Sequence, residues 1–103
     1  MSSPEAIFAA LGDPTRLLLV SRLNDGQARS ISQLTAGLGV TRQAVTKHLR
    51  VLEDAGMVHS SRTGRENRFV LVPEPVEMAR DYLDRISADW DAALARLQAH
   101  VES

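Results

Sequence analysis

The chain has 103 residues, 44% of them hydrophobic and 24% charged, with no cysteine and a formal net charge of −1. That length suits one domain with a modest core, and the missing cysteine excludes disulfides, thiolate metal ligands and a cysteine nucleophile. The opening Met1-Ser2-Ser3-Pro4-Glu5 has no basic n-region and no apolar run reaches the ~18 residues of a membrane span, so a soluble cytoplasmic protein with no membrane partner is expected.

The near-neutral total conceals a gradient. Residues 1–40 carry three basic and three acidic side chains. Residues 41–72 carry six basic ones (Arg42, Lys47, Arg50, Arg62, Arg65, Arg68) against three acidic. Residues 73–103 carry seven acidic against three basic. The middle third is therefore a basic zone suited to a polyanion, and the last third repels one.

In chain order, Ile7, Phe8 and Leu11 stand at helical spacing and predict a short first helix over residues 5–11. Asp13-Pro14 restarts the chain, since Asp is a preferred N-cap and Pro a preferred first helical residue. The helix that follows, with Leu17, Leu18, Val20 and Leu23, is apolar on most sides and is expected as a buried central helix ending near Asp25-Gly26. Ser30-Ile31-Ser32-Gln33 matches a capping box and opens a short third helix with Ile31, Leu34 and Leu38 inward. Gly37-Leu38-Gly39-Val40 is a tight connection into a fourth helix over residues 41–55.

The fourth helix has two unlike faces. At about 100° per residue, with Val45 at zero, Val45, Leu49 and Leu52 fall within about 40° of one another and form a core-type stripe. Gln43, Thr46, Lys47 and Arg50 fall between about 100° and 200°, giving an outer face of donors, acceptors and positive charge. Thr41 occupies the N-cap position and Gly56 the left-handed stop. Two short helices joined by a glycine-containing turn make a helix-turn-helix over residues 30–55.

Beyond Gly56 the periodicity changes. Residues 57–62 and 67–72 read as two short strands, and Thr63-Gly64-Arg65-Glu66 as the polar, basic tip between them. From Val76 to Val101 there is no Pro or Gly, and apolar residues recur at Ala79, Leu83, Ile86, Trp90, Ala93, Leu97 and Val101. That spacing is close to a heptad seam on one long helix, about residues 75–101. The sum is a mainly α chain with a small β-hairpin, organised over residues 1–103 as a single winged helix-turn-helix domain whose wing spans about residues 57–72.

The motifs in this order resemble the ArsR family of bacterial transcriptional regulators. Ala10-Leu11-Gly12-Asp13-Pro14-Thr15-Arg16 is similar to the family's opening signature. Gln43-Ala44-Val45-Thr46-Lys47-His48-Leu49, Leu52-Glu53-Asp54-Ala55-Gly56-Met57-Val58 and the wing Arg62-Thr63-Gly64-Arg65 continue the match. The resemblance implies a homodimeric repressor of an operator with dyad symmetry, released by an inducer. It also implies an interface built from the first and last helices, with Ile7, Phe8 and Leu11 from one and Tyr82, Leu83, Ile86, Trp90, Leu94, Leu97 and Val101 from the other.

In founding members of that family the inducer is a metal ion. Where the arsenic sensors carry a cysteine pair, this chain has Arg29-Ser30-Ile31-Ser32-Gln33. Asp89, Asp91, His100 and Glu102 on the last helix do not reproduce the spacing of the zinc sensors. No metal and no cofactor is therefore expected, and the closing segment resembles a metal-independent subgroup. An unknown small-molecule inducer stays open, as does a sensor with an atypical metal or small-molecule site at the dimer helices.

The chemistry of the basic zone fits double-stranded DNA. A helix enters the major groove, where Gln pairs with adenine, Lys or Arg reaches guanine or phosphate, and a Thr methyl touches thymine. Gln43, Thr46 and Lys47 are the expected base readers, and Thr41, Arg42 and Arg50 the phosphate contacts at the rim. Arg62, Arg65 and Arg68 of the wing are expected at the flanking backbone or minor groove, with Arg68 also able to pair with Glu66. His48 flanks the apolar stripe and reads as half-buried or phosphate-touching; His59 and His100 read as ordinary strand and helix-end residues. Trp90 reads as a core or interface residue. No nucleophile elbow, phosphate loop or HExxH pair is present, so no enzyme is expected. A protein-interaction module that keeps the winged-helix shape is the competing class, and the outward basic residues argue against it.

Overall fold

The computed structural model describes residues 3–102. Its first four helices all start on a short polar side chain that takes up free backbone amides of the first turn. Ser3 caps α1 (Pro4–Leu11) by accepting from the Ala6 amide, and Asp13 caps α2 (Pro14–Arg22) by accepting from Thr15 and Arg16. Ser30 and Gln33 form a reciprocal capping box on α3 (Ile31–Thr35), and Thr41 caps α4 (Arg42–Asp54) by accepting from Ala44. The α3–α4 pair is the helix-turn-helix, and Gly37 and Gly39 turn the chain between them at φ 76° and 70°.

The end of α4 is a Schellman stop. The Gly56 amide donates to the Glu53 carbonyl and the Met57 amide to the Leu52 carbonyl, both at 2.9 Å. Gly56 has φ 77°, and Leu52 and Met57 on either side of the stop are both fully buried.

The chain then forms β2 (Val58–Thr63) and β3 (Glu66–Leu71), an antiparallel hairpin in which Val58 faces Leu71 and Thr63 faces Glu66. The expected four-residue tip is tighter than that, because Thr63 and Glu66 pair and only Gly64-Arg65 turns. Gly64 supplies φ 62° at the first central position, which is the requirement of a type II′ hairpin. A further strand was not anticipated: β1 (Arg29–Ser30) pairs antiparallel with β3, so the sheet order is β1-β3-β2.

Val45, Leu49 and Leu52 of α4 have no exposed surface, and Leu19, Leu34 and Met57 close over them with Ile7 and Phe69 at the margins. The expectation of α2 as a buried central helix is corrected. Only Leu19 within it is buried, with Leu23 just after its end, while Leu17 and Leu18 are each half exposed. This nine-residue helix lies at the rim of the bundle and packs mainly on the side facing α1 and α4.

α5 (Pro73–Glu102) runs 30 residues, and only its start is held. Pro75 and Ala79 are buried against the domain, whereas Leu83, Trp90, Leu94, Leu97 and Val101 are each more than half exposed. The radius of gyration is 18.0 Å, against about 13 Å for a compact globule of this length. The excess is α5 standing out from the bundle. Among the described residues, no helix is long and apolar enough to cross a membrane.

Candidate nucleic-acid interface

The outer face of α4 carries the polar residues that the helical spacing places there. Thr41, Arg42, Gln43, Lys47 and Arg50 are exposed and Thr46 is half-buried. Two hydroxyls are already committed. Thr41 Oγ1 accepts from the Ala44 amide at 3.1 Å, which leaves its proton free to donate outward. Thr46 Oγ1 donates to the Arg42 carbonyl at 2.8 Å, so the side chain offers a methyl group and an acceptor but no donor. Gln43, Lys47 and Arg50 make no side-chain hydrogen bond or ion pair among the described residues.

The arginines outside the basic zone behave differently. Arg16 donates through Nε to the Ala10 carbonyl at 2.5 Å, closing the end of α1. Arg22 Nη1 donates to the carbonyls of Leu34 and Ala36 at 2.9 and 2.6 Å, closing the end of α3. Arg29 grips Asp25 with two bonds of 2.7 and 2.6 Å and also donates to the Arg22 carbonyl. The Arg29 side chain holds the Asp25 carboxyl far below the usual carboxylate range, helped by the Gln27 amide. These three cations serve the fold.

The wing separates its three arginines. Strand alternation puts Arg62 on the same face of the hairpin as Phe69 and puts Arg68 on the opposite face. Arg62 Nε donates to the Gly64 carbonyl at 3.3 Å, within its own turn. Arg68 pairs with Glu66 at 3.2 Å and is half-buried. Arg65 stands on the turn itself, exposed and unpaired among the described residues. Of the expected wing contacts, Arg65 is thus the one with a wholly uncommitted charge.

His48 is half-buried, on the flank of α4 as its spacing indicates. Its Nδ1 lies 3.2 Å from Arg16 Nη1 and 3.8 Å from the Asp13 carboxylate. An arginine can only donate, so Nδ1 is the acceptor where this bond is made. The Asp13 carboxyl is held below its ordinary value, chiefly by the Arg16 amide that donates to it and also by the nearby His48. This link between the start of α2 and the middle of α4 was missed in the sequence, where the two residues are 32 positions apart.

The residues expected at an interface between chains divide into two groups. Ile7 has no exposed surface, because its side chain is enclosed in the core of its own chain. Phe8 and Leu11 are half-buried against that core, and Phe8 stacks on Tyr82 at 5.6 Å between ring centroids. Leu83, Ile86, Trp90, Leu94, Leu97 and Val101 fall within about 80° on one side of α5. Asp89, Trp90 and Ala93 border a shallow hollow of about 250 Å³ on that same helix. Among the described residues, no three His, Asp or Glu side chains are grouped to hold a metal ion.

Residues 11–61 match the profile of a helix-turn-helix domain, a span that starts at the end of α1 and reaches into β2. The chain is 42% identical over 79 residues to the HTH-type transcriptional regulator YuzN of Bacillus subtilis, covering 71% of this chain and 86% of that protein. It is 34% identical over 101 residues to the HTH-type transcriptional regulator Rv2034 of Mycobacterium tuberculosis, covering 98% of this chain and 91% of that one. Among solved structures, an ArsR-like transcriptional regulator from Rhodococcus superposes with a TM-score of 0.75 at 38% identity, over 91% of this chain and 88% of that chain. With the helix-turn-helix, the wing and the long last helix in the same order, these likenesses make the chain a member of the ArsR family of winged helix-turn-helix transcriptional regulators.

Proposed function

We propose that this regulator is a homodimeric repressor that reads an imperfect palindrome through α4, with one recognition helix from each protomer in successive major grooves. The observation that carries this reading is the outer face of α4, where Gln43, Lys47 and Arg50 are held by a capped, core-anchored helix yet have no partner among the described residues. Gln43 and Lys47 present hydrogen-bonding groups to base edges, and the Thr46 methyl is free for a thymine methyl. Thr41, Arg42 and Arg50 hold phosphates at the groove rim, with Arg65 and Arg62 of the wing beyond them. Arg68 contributes less, because Glu66 already neutralises it.

The exposed apolar side of α5 is the dimer surface in this reading, with Tyr82 and Phe8 at its base. The whole chain, residues 1–103, acts as one domain in which helix-turn-helix, wing and dimerisation helix cannot be separated. Repression is supported by the family resemblance, and release follows from something other than a metal ion bound at the family's usual positions. The test is a mobility shift of the gene's own upstream DNA across a salt series, repeated with zinc and with a chelator. Specific binding that weakens steeply with salt and ignores zinc and chelator is the expected result. Absence of any shift at low salt would remove the DNA reading, and a zinc effect would remove the metal-independent one.

A further inference from the structure

Between the wing turn and the start of α4 lies a mostly polar cleft of about 210 Å³, bordered by Ser30, Ile31, Ser32, Arg42, Arg65, Glu66 and Asn67. Two arginines 23 residues apart in sequence therefore border one hollow. The only carboxylate at the cleft, Glu66, already accepts from Arg68 Nη2 at 3.2 Å and Nε at 3.3 Å. Neither Arg42 nor Arg65 has an ion pair among the described residues.

Both cations are also held in place by their backbones. Arg42 is the first residue of a 13-residue helix whose N-cap is made by Thr41, which fixes its backbone. Arg65 sits in a two-residue turn fixed by Gly64. The pairing of Ser30 with Arg68 joins the wing to the residue that caps α3, which keeps the two walls of the cleft in register. Ser32 and Asn67 add a hydroxyl and an amide to the two guanidinium forks. A donor-rich hollow with two uncommitted arginines fits an anion with several oxygens.

We propose that Arg42 and Arg65 grip one and the same phosphodiester of the DNA backbone, so that recognition helix and wing are fastened to the duplex at a shared phosphate. This rests on the DNA-binding reading above and specifies how the wing engages. A wing held there is positioned by backbone contact, and its arginine carries no base discrimination of its own.

The shared contact makes a quantitative statement about counterions. Each neutralised phosphate contributes about 0.9 to the slope of log affinity against log salt. Fluorescence anisotropy of a labelled duplex from the gene's upstream region, with full-length wild type, Arg42→Ala, Arg65→Ala and the double variant, reads it directly. Each single variant leaves one arginine on the phosphate, so it is expected to bind only about threefold more weakly near 0.1 M salt and to lower the slope by well under 0.9. The double variant is expected to lower the slope by about 0.9 in all, the value of a single phosphate, and to bind about tenfold to thirtyfold more weakly than wild type. Both side chains are exposed and unpaired, so melting temperatures should be unchanged, and lysine at either position should restore the slope.

A double variant that loses about a hundredfold, with a slope lowered by about 1.8, would mean two separate phosphates and overturn the proposal while leaving the DNA reading intact. A wild-type protein that fails to bind the duplex at all would remove the DNA reading itself, and the shared contact with it. A scan of single methylphosphonates gives the same answer from the DNA side. One position must make the protein insensitive to both arginine replacements, and a duplex with no such position rules the shared phosphate out.

Discussion

Arg16, Arg22 and Arg29 commit their guanidiniums to carbonyls or a carboxylate of their own chain, while Arg42, Arg50 and Arg65 leave theirs uncommitted. The difference assigns opposite phenotypes to chemically identical substitutions. Arg22→Ala uncovers two carbonyls at the end of α3 and should destabilise the fold by about 1–3 kcal/mol, with the salt slope of DNA binding unchanged. Arg50→Ala should leave the melting temperature alone and weaken DNA binding on all sequences, lowering the salt slope by about 1. Thermal melts beside salt titrations separate the two, and an Arg50 variant that melts early with normal DNA binding would reverse the assignment. Asp13 and Asp25 give the acid limit at this same scale. Both carboxyls are lowered from the ordinary 3.8 in the folded chain, so their stabilisation is complete above that value and is lost as pH falls below about 4. Urea midpoints measured downward from pH 6 should fall in that window, and Asp25→Asn should flatten the fall. A wild-type midpoint still flat at pH 3 would contradict the lowered carboxyls.

Element by element, the helices were most legible where a cap names the first residue. Asp13-Pro14, the Ser30–Gln33 box, Thr41 and Gly56 all sit where local chemistry puts them, because a cap is settled by three or four adjacent residues. What the sequence did not show depends on partners far along the chain. β1 is two residues long, too short for any alternation, and exists because β3 has an open edge beside α3. Leu17 and Leu18 look like core by composition, but burial is decided by which neighbours reach them, and α2 is covered mainly on one side. The same limit hid the cleft, since Arg42 and Arg65 meet through the folding of the wing. The hairpin turn offers the element's own test. At Gly64 an added Cβ would meet nothing within 4 Å, so Gly64→Ala is opposed by the positive φ alone, at about 1–2 kcal/mol of local strain. The turn should reopen toward the wider four-residue form, moving Arg65 with it. DNA affinity should then fall about as far as in Arg65→Ala while the core, remote from the turn, keeps its hydrogen-exchange protection. Unchanged affinity in Gly64→Ala would mean that the wing's position does not matter to binding.

At the scale of the whole molecule, the long helix is the element that carries the proposed dimer. Five large apolar side chains from Leu83 to Val101 are more than half exposed on it, and they share one side through nearly three heptads. A surface of that kind is unusual for a solitary domain and ordinary for half of an interface. In the proposed dimer the acidic outer side of α5 keeps that end of each protomer away from the polyanion, which suits a division in which α4 and the wing meet DNA and α5 meets its copy. In this arrangement the spacing of the two α4 helices is set by the α5 pairing. Charge placed on the seam should therefore act on DNA binding from a distance. Trp90→Glu with Leu97→Glu puts four carboxylates into one dimer seam, and sedimentation should report monomers at concentrations where wild type is dimeric. The variant domain should still fold, because neither side chain belongs to the core, and circular dichroism should show the helix-turn-helix intact. Its affinity for a full palindrome should drop by two or more orders of magnitude, since linking two half-sites raises avidity by about 10²–10⁴. Its affinity for a single half-site should barely change. Equal losses on half-site and palindrome would mean that α5 shapes α4 within one chain, and a double variant that remained dimeric would move the interface away from the Trp90 seam altogether.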